Sequence, residues 1–170
     1  DLSAILIENI NPVVNLIRVP KKEIALLSDF EEKMEKIARI AMNQDITNIS
    51  GVPSWMLAVI KRVMELKGTD NLAEVWPNLE IFFHGGVAFT PYREQYQQII
   101  RSSNMHYMET YNASEGFFGI QNEPTDPSML LMIDYDVFYE FIPMDEFDTP
   151  NPQIVPLWEV ELNKNYAMVI

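Results

Sequence analysis

Apolar residues recur at steps of three and four through residues 24–41, with charged residues between them. This spacing predicts an amphipathic helix that turns one face toward a core. A short β-branched run follows at residues 46–49. Pro53 then suits the first turn of a second helix, which we expect to reach about Lys67 and to end at Gly68. The first third of the chain therefore predicts two helices around one strand.

The next apolar run, residues 79–83, ends abruptly at a His-Gly-Gly sequence, residues 84–86. Thr90 and Pro91 supply an N-cap and a first-turn proline for a helix through Arg101. A third strand is expected at residues 105–110. Alternating strands and helices are typical of a parallel sheet covered by helices, so an α/β fold is predicted.

From residue 117 onward the pattern changes to strand-like pieces without clear helices. Strands are predicted at residues 117–121, 130–133, 137–141 and 166–170. They are expected to form an antiparallel extension of the sheet or a second sheet. The proline-rich stretch 143–156 is interpreted as a surface connection.

Charge is unevenly distributed in this acidic chain of 170 residues, whose formal net charge is −13. Of its 25 Asp and Glu residues, 12 lie after residue 102, where Lys164 is the single Lys or Arg. This charge argues against binding to nucleic acid or to an anionic membrane surface. The acidic half is interpreted either as a solvated face or as a surface that faces magnesium or a basic protein surface.

Cysteine is absent, which excludes disulfides and thiolate metal sites from this chain. No apolar run approaches the length of a membrane-spanning helix, and residues 1–20 lack the features of a secretory signal. A cytoplasmic location is expected. The start at Asp1 and the strand-like end at Ile170 are interpreted as the ends of a segment excised from a longer protein.

The first candidate site is the sequence His84-Gly85-Gly86, directly after a predicted strand. In open α/β sheets, ligands bind outside the carboxyl ends of the strands. Paired glycines let a backbone approach a flat ligand. The alternative is an ordinary strand-to-helix turn with a hydrogen-bonded histidine. Because His106 is the only other histidine, a His-based metal site is not expected.

The second candidate site is residues 110–119, between two apolar runs. Ser114 could donate a hydrogen bond to a phosphate, and Glu115 is a hard oxygen ligand suited to magnesium. Small residues would leave room for a ligand against the backbone, and aromatic rings could stack on a base. The residues singled out for nucleotide binding are Gly85, Gly86, Tyr111, Asn112, Ala113, Gly116 and Phe118. The alternative is a hairpin-like loop with buried aromatics.

The order Tyr111-Asn112-Ala113-Ser114-Glu115, followed by Phe117-Phe118-Gly119, resembles a signature of the acyl-acid amido synthetases of the auxin-responsive Gretchen Hagen family, a branch of the adenylate-forming superfamily. Other parts of the chain also resemble this family, mostly after Gly51. It includes Gly85-Gly86 with Tyr92 and Tyr96, residues 137–143, and the bacterial features Gly51, Pro53, Trp55 and Trp76-Pro77.

The resemblance implies an ATP- and magnesium-dependent reaction in which a carboxylate is adenylated and then transferred to an amine, usually that of an amino acid. Ser114 and Glu115 would be the catalytic residues, with Glu115 holding magnesium. The chain would be one fragment of the large N-terminal adenylation domain. Residues 1–45 would form a helical lead-in, residues 46–121 the nucleotide-binding part, and residues 122–170 a mainly β extension.

The chain departs from the family pattern in three places. No stretch of residues 1–50 resembles the Ser/Thr/Gly-rich phosphate loop with its lysine. A later Tyr-x-x-Gly-Asp motif and the C-terminal lid are also absent. We therefore expect these 170 residues alone to bind ATP weakly and to turn nothing over.

Two other functions stay open at this point. The chain could be a non-catalytic interaction domain on the same scaffold, with its acidic half and Trp158 as contact surfaces. It could also belong to a ligase that forms acyl thioesters. Neither the acyl acid, the acceptor nor the oligomeric state is specified. Four apolar residues are candidates for an acyl pocket, although such spacing is more often plain core: Trp55, Met56, Val59 and Phe89.

Overall fold

The computed structural model describes residue 5 and residues 7–170, and its first half begins with short helices. Three of them are α1 (Pro12–Ile17), α2 (Lys22–Ala25) and α3 (Phe30–Ala41). The predicted helical lead-in, residues 1–45, is helical over these stretches. Its residues 1–4 and 6 lie outside the described part.

The prediction of one continuous helix through residues 24–41 was wrong, because residues 26–29 are not helical and separate α2 from α3. The side chain of Asp29 accepts a hydrogen bond of 2.7 Å from the backbone N–H of Glu32 and caps α3. A capping Asp satisfies one of the free N–H groups at a helix start, so it favours a new helix over continuation of the old one.

Three parallel strands alternate with two helices, as the sequence predicts. They are β1 (Asn48–Gly51), α4 (Pro53–Lys67), β2 (Ile81–His84), α5 (Thr90–Ile99) and β3 (His106–Ala113). Pro53 begins α4, and Gly68 ends it in the left-handed conformation with φ 69°. A short 3₁₀ helix, Leu72–Glu74, lies between α4 and β2.

The N-cap of α5 lies one residue earlier than predicted. Phe89 occupies the cap position, Thr90 is the first helical residue, and no side chain caps the helix. The helix ends at Ile99, two residues before the predicted Arg101.

Beyond β3 the sheet becomes antiparallel. β4 (Gly116–Gln121) pairs with β3, and β5 (Met129–Leu131) pairs with β4, which gives the strand order β1-β2-β3-β4-β5. A second antiparallel sheet has the order β7-β6-β8 and consists of β6 (Glu140–Pro143), β7 (Val155–Pro156) and β8 (Tyr166–Val169). A second 3₁₀ helix covers Leu157–Glu159. The predicted fold class, a parallel sheet with helices followed by an antiparallel region, is confirmed.

The segment predicted as a strand at residues 137–141 forms one only from Glu140. Before it, Tyr139 is buried, and its hydroxyl donates a 3.0 Å hydrogen bond to the carbonyl of Met132. This hydrogen bond to a residue seven positions earlier holds the segment as an irregular connection despite its β-favouring residues.

The core lies between the sheet and the helices, and two of its aromatic side chains donate hydrogen bonds to helix carbonyls. Trp76 donates from its ring N–H to the carbonyl of Ala41 at 2.9 Å, and Tyr96 donates to the carbonyl of Pro53 at 2.8 Å. An ion pair of 2.6 Å between Arg62 and Glu35 joins α4 to α3. The core residues include Ile49, Ile60, Val63, Leu72, Trp76, Phe82, Phe89 and Tyr96.

β1 is an edge strand of the first sheet, and its outer side pairs with no other strand among the described residues. Nor does any helix in the described part combine the length and apolar character needed to cross a bilayer.

Candidate functional site

The carboxyl ends of β1, β2 and β3 meet at one edge of the sheet, because the three strands are parallel and in register. Gly51 lies opposite His84, and His84 lies opposite Glu109. The glycine turn, which we define as Gly85–Ala88, leaves this edge directly after β2. The chain of β3 runs beside it into the second candidate site. The fold therefore brings both sequence motifs to adjacent strand ends.

The glycine turn is packed tightly against β3. A Cβ atom on Gly85 would overlap the backbone oxygen of Thr110 and would lie 2.7 Å from its hydroxyl. Gly86 has φ 80°, and a Cβ there would lie 3.4 Å from Val52. The hydroxyl of Thr110 donates a 3.1 Å hydrogen bond to the carbonyl of His84. Gly85 is therefore required by close approach, and Gly86 by its left-handed backbone.

The second motif is a β-hairpin, as in the hairpin-like alternative given from the sequence, but its first strand runs three residues past the end predicted at residue 110. β3 continues to Ala113, β4 begins at Gly116, and these two residues pair across a two-residue turn. The turn consists of Ser114 and Glu115, both exposed. β3 runs four residues past Glu109, so the hairpin tip projects about 13 Å beyond the end of β2. A register shift between Tyr111 and Asn112 marks a bulge in this arm.

The aromatic residues of the hairpin differ in exposure. Tyr111 is 51% exposed, whereas Phe118 is 1% exposed and packs against Tyr111 and Tyr139 with ring centroids 5.4 and 6.4 Å away. Tyr111 is therefore accessible to solvent and Phe118 is not. A Cβ on Gly116 would lie 3.0 Å from the ring of Phe118, so this glycine makes room for the buried ring.

Asn112 and Ala113, the remaining predicted binding residues, occupy the outer part of β3. Asn112 is exposed and pairs with Phe117, and Ala113 is partly buried. Their backbones lie next to the turn that carries Ser114. The nucleotide-binding roles of all these residues stay predictions.

His84 is buried in an aromatic cluster, and its ring makes no hydrogen bond. It is 1% exposed, and its ring stacks on Phe89 at a centroid distance of 4.0 Å and an interplanar angle of 19°. Neither ring nitrogen has a partner among the described residues. Burial, with a smaller contribution from the positive charge of Arg93, lowers the pKa of His84 to about 4. The expected hydrogen-bonded turn histidine is thus a neutral, stacked core residue.

Arg93 is a cation that the sequence analysis did not single out. It is the fourth residue of α5, and its guanidinium lies 5.0 Å from the ring centroid of Phe89 and 5.8 Å from that of Tyr107. The sequence feature that could have pointed to Arg93 is its place in the first turn of the helix that follows the glycines. It places a positive charge over the rings of Phe89 and Tyr107, in the first turn of the helix that follows the glycine turn.

An apolar groove of about 240 Å³ opens beside the end of β1. Three of the four candidate acyl-pocket residues line it: Trp55, Met56 and Val59. The rings of Trp55 and Phe30 meet edge to face at 4.7 Å on its wall. Val52, another lining residue, is the neighbour of Gly86 described above. The groove therefore adjoins the glycine turn, whereas the fourth candidate, Phe89, is in the core.

A larger cavity, about 620 Å³, lies along the outer side of β1. Its walls come from residues 14–20, from α3 and from residues 45–50, together with Met56, Val59 and Trp76. Neither the glycine turn nor the hairpin contributes to it. This larger cavity is therefore not the site indicated by the sequence motifs.

Glu115 stands as a single carboxylate. No group of three or more His, Asp or Glu side chains with metal-binding geometry occurs within residues 7–170. Magnesium is commonly held by one or two carboxylates together with substrate phosphates. An exposed carboxylate at the hairpin tip fits that chemistry.

Comparison with known proteins gives matches along most of the chain. The profile of the GH3 family N-terminal domain matches residues 1–105, and that of the GH3 family central domain matches residues 130–170. The indole-3-acetic acid-amido synthetase GH3.3 of Arabidopsis thaliana is 27% identical over 148 residues, which is 79% of this chain and 24% of that protein.

One solved structure shares this fold. The GH3.15 acyl acid amido synthetase superposes with a TM-score of 0.66 at 14% identity, over 88% of this chain and 36% of that one. The Vibrio cholerae adenylation domain AlmE, solved with glycyl-adenosine-5'-phosphate, has a TM-score of 0.43 at 15% identity, over 76% of this chain and 23% of that one. The chain thus spans about a quarter to a third of the length of these relatives.

Proposed function

Because the chain belongs to the GH3 family, we propose that residues 1–170 form part of the adenylating domain of an ATP-dependent acyl-acid amido synthetase. The observation that carries this proposal is the contact between Gly85 and Thr110, which joins the glycine turn to the base of the Ser114–Glu115 hairpin. Two motifs separated by 25 residues in sequence thereby share one ligand-binding edge of the sheet.

In the proposed reaction, a carboxylate oxygen of the acid attacks the α-phosphorus of ATP, and pyrophosphate leaves. The amine of an acceptor then attacks the acyl carbonyl, and AMP leaves. The backbones of the glycine turn and of Ala113, with the exposed ring of Tyr111, would line the adenosine. Asn112 and Gly116 would shape the hairpin around it.

Ser114 would contact the α-phosphate, and Glu115 would hold magnesium. Bound magnesium would offset the negative charge that develops on the phosphates. Such chemistry depends on positioning and charge neutralisation more than on a side-chain nucleophile. The exposure of both residues at a projecting tip leaves them accessible to a nucleotide that lies along the strand ends.

We propose that the apolar groove holds the hydrocarbon part of the acid. Its lining is mostly apolar, with Lys33 and Ser50 as the polar side chains, and Trp55 offers a flat ring for an aromatic acid. Val52 connects the groove to Gly86, so the carboxylate end of a bound acid would point toward the nucleotide edge. A volume of about 240 Å³ suits a small aromatic or short aliphatic acid rather than a long acyl chain.

Several finer features belong to the same proposal. Residues 46–121 would be the nucleotide-binding part and residues 122–170 the β extension of the domain. The phosphate loop, the ribose-binding Asp motif and the lid have no counterpart in residues 1–170 and would come from other parts of the protein. Residues 1–170 alone would therefore catalyse no turnover. A bacterial origin and a cytoplasmic location complete it. An acyl-thioester-forming ligase would share the first half-reaction and differ in the acceptor.

The test is ATP–pyrophosphate exchange with a panel of carboxylic acids, on a chain extended at both ends. The variants are Glu115→Ala and, as a matched control, Glu123→Ala, which removes another exposed acid. We expect acid-dependent exchange that collapses in Glu115→Ala and persists in Glu123→Ala. Absence of exchange with every acid, together with no magnesium-dependent AMP binding, would favour the non-catalytic interaction domain.

A further inference from the structure

The glycine turn is closed at its base by two aromatic rings. His84 ends β2, Phe89 precedes α5, and the four residues of the turn lie between them. The two rings stack at 4.0 Å with only 19° between their planes. Both side chains are buried, at 1% and 3% exposure. The ends of a turn that contains two glycines are thus held together by one ring contact.

His84 also holds the turn from its backbone. Its carbonyl accepts the hydrogen bond from Thr110, and the next residue, Gly85, packs directly on the backbone of Thr110. One residue therefore ties the turn to the helix side through its ring and to β3 through its carbonyl. Glycine is conformationally free in the absence of such contacts, so these attachments decide the shape of the turn.

The ring nitrogens of His84 do not contribute to this attachment. Both are buried without a hydrogen-bond partner among the described residues. The surrounding groups are Phe82, Phe89 and the cation Arg93. What the cluster uses is the flat shape of the ring, which a phenylalanine would also supply.

We propose that His84 and Phe89 are positioning residues, whose stacked rings hold the glycine turn against β3 in the shape that receives the adenosine. This inference rests on the proposed function for the ligand, but not for the shape of the turn. The gain would come from preorganisation, since a turn that is already ordered loses less conformational freedom on binding.

The experiment follows two quantities in residues 1–170 by NMR. The first is turn exchange, meaning hydrogen exchange of the hydrogen-bonded amides that flank the glycine turn, such as those of Tyr92 and Arg93 bonded to the carbonyl of Phe89. The second is AMP affinity from chemical-shift titration. His84→Ala removes the ring, and His84→Phe keeps a flat ring without nitrogens. We expect turn exchange to be at least about tenfold faster in His84→Ala, with AMP affinity at least about fivefold weaker. His84→Phe should restore both quantities.

Two further variants keep the test usable if His84→Ala does not fold. Phe89→Leu retains an apolar side chain but loses the flat ring, and the same acceleration is expected. Phe141→Ala truncates a partly buried aromatic in the second sheet and should leave turn exchange unchanged.

Unchanged turn exchange in both His84→Ala and Phe89→Leu would overturn the proposal. Restored turn protection without restored AMP affinity in His84→Phe would also overturn it, because the imidazole nitrogens would then be needed by the ligand. If wild type shows the expected exchange pattern but binds no AMP, the proposed function fails while the ring contact keeps its role in the turn.

Discussion

The hydroxyl of Thr110 donates a hydrogen bond of 3.1 Å to the carbonyl of His84. This bond lies just past the last ladder pair between β2 and β3, where His84 faces Glu109. It extends the connection between the strands to the point where the glycine turn leaves one and the hairpin leaves the other. The relative position of the two motifs therefore depends on a side chain rather than on the sheet ladder alone.

Replacement of Thr110 tests this connection. Thr110→Val keeps the shape of the side chain but leaves the His84 carbonyl without its donor, so we expect a loss of about 1 kcal/mol in the free energy of unfolding. For a chain of this size the melting temperature should fall by about 2–4 °C. Thr110→Ser retains the hydroxyl and is the control. Equal melting temperatures for the Val variant and wild type would show that the bond contributes nothing.

Gly85 and Gly68 allow two requirements for glycine to be separated. Ala at position 85 would overlap the Thr110 backbone, and we expect a cost of about 3 kcal/mol from overpacking. Ala at position 68 meets no atom within 4 Å and bears only the left-handed strain at φ 69°, about 1–2 kcal/mol. Urea unfolding of both variants measures the difference. The reverse order of the two losses would contradict the packing described for the glycine turn.

Burial of His84 predicts a pH dependence of stability. Its pKa is lowered from 6.5 to about 4 in the folded chain, mainly by burial and secondarily by Arg93. As pH falls below 6.5 the unfolded state takes up the proton first, so the folded state loses stability until about pH 4. Above pH 6.5 the ring is neutral in both states and the effect vanishes.

The measurement is urea unfolding of wild type and His84→Phe near pH 7.5 and near pH 5. Relative to wild type, the free energy of unfolding of His84→Phe should rise by about 2 kcal/mol from pH 7.5 to pH 5, because each pH unit below 6.5 contributes about 1.36 kcal/mol. Comparison of the two proteins cancels the titration of carboxylates that they share. A difference that stays constant with pH would mean that His84 is solvated or hydrogen-bonded in the folded chain.

The groove predicts a fluorescence response that depends on one tryptophan. Benzoate or hexanoate bound against Trp55 should change its emission, because this side chain is 61% exposed and lines the groove. Trp55→Phe should abolish the response, and Trp158→Phe should preserve it, since Trp158 is 76% exposed but lies outside the groove. A response lost in Trp158→Phe would place acid binding on another surface.

Local signals predicted the parallel part of the fold well. Pro53 and Gly68 bound α4 because a first-turn proline and a left-handed glycine act within a few residues of themselves. The positions of β2 and of the glycines after it follow from an apolar run and its abrupt end. The break before α3 was missed because the cap by Asp29 competed with a regular apolar pattern.

Tertiary features of the site could not be read from spacing. Phe117 and Phe118 are adjacent in sequence, yet only Phe118 is buried to 1%, because strand alternation and the cover from Tyr139 decide which ring faces inward. The extension of β3 past residue 110 was missed because its polar residues resemble turn residues, whereas pairing with β4 keeps them extended. Arg93 acquires its place only through the packing of α5 on the sheet.

The unpaired outer side of β1 has a consequence for the behaviour of the chain in solution. An edge strand exposes N–H and C=O groups on which another chain can add a strand. At neutral pH the formal charge of −13 keeps molecules apart by repulsion. High salt screens that repulsion, and pH near the isoelectric point of about 4.4 removes it. We therefore expect these molecules to stay dispersed at neutral pH and low salt, and to associate more readily at high salt or near pH 4.4.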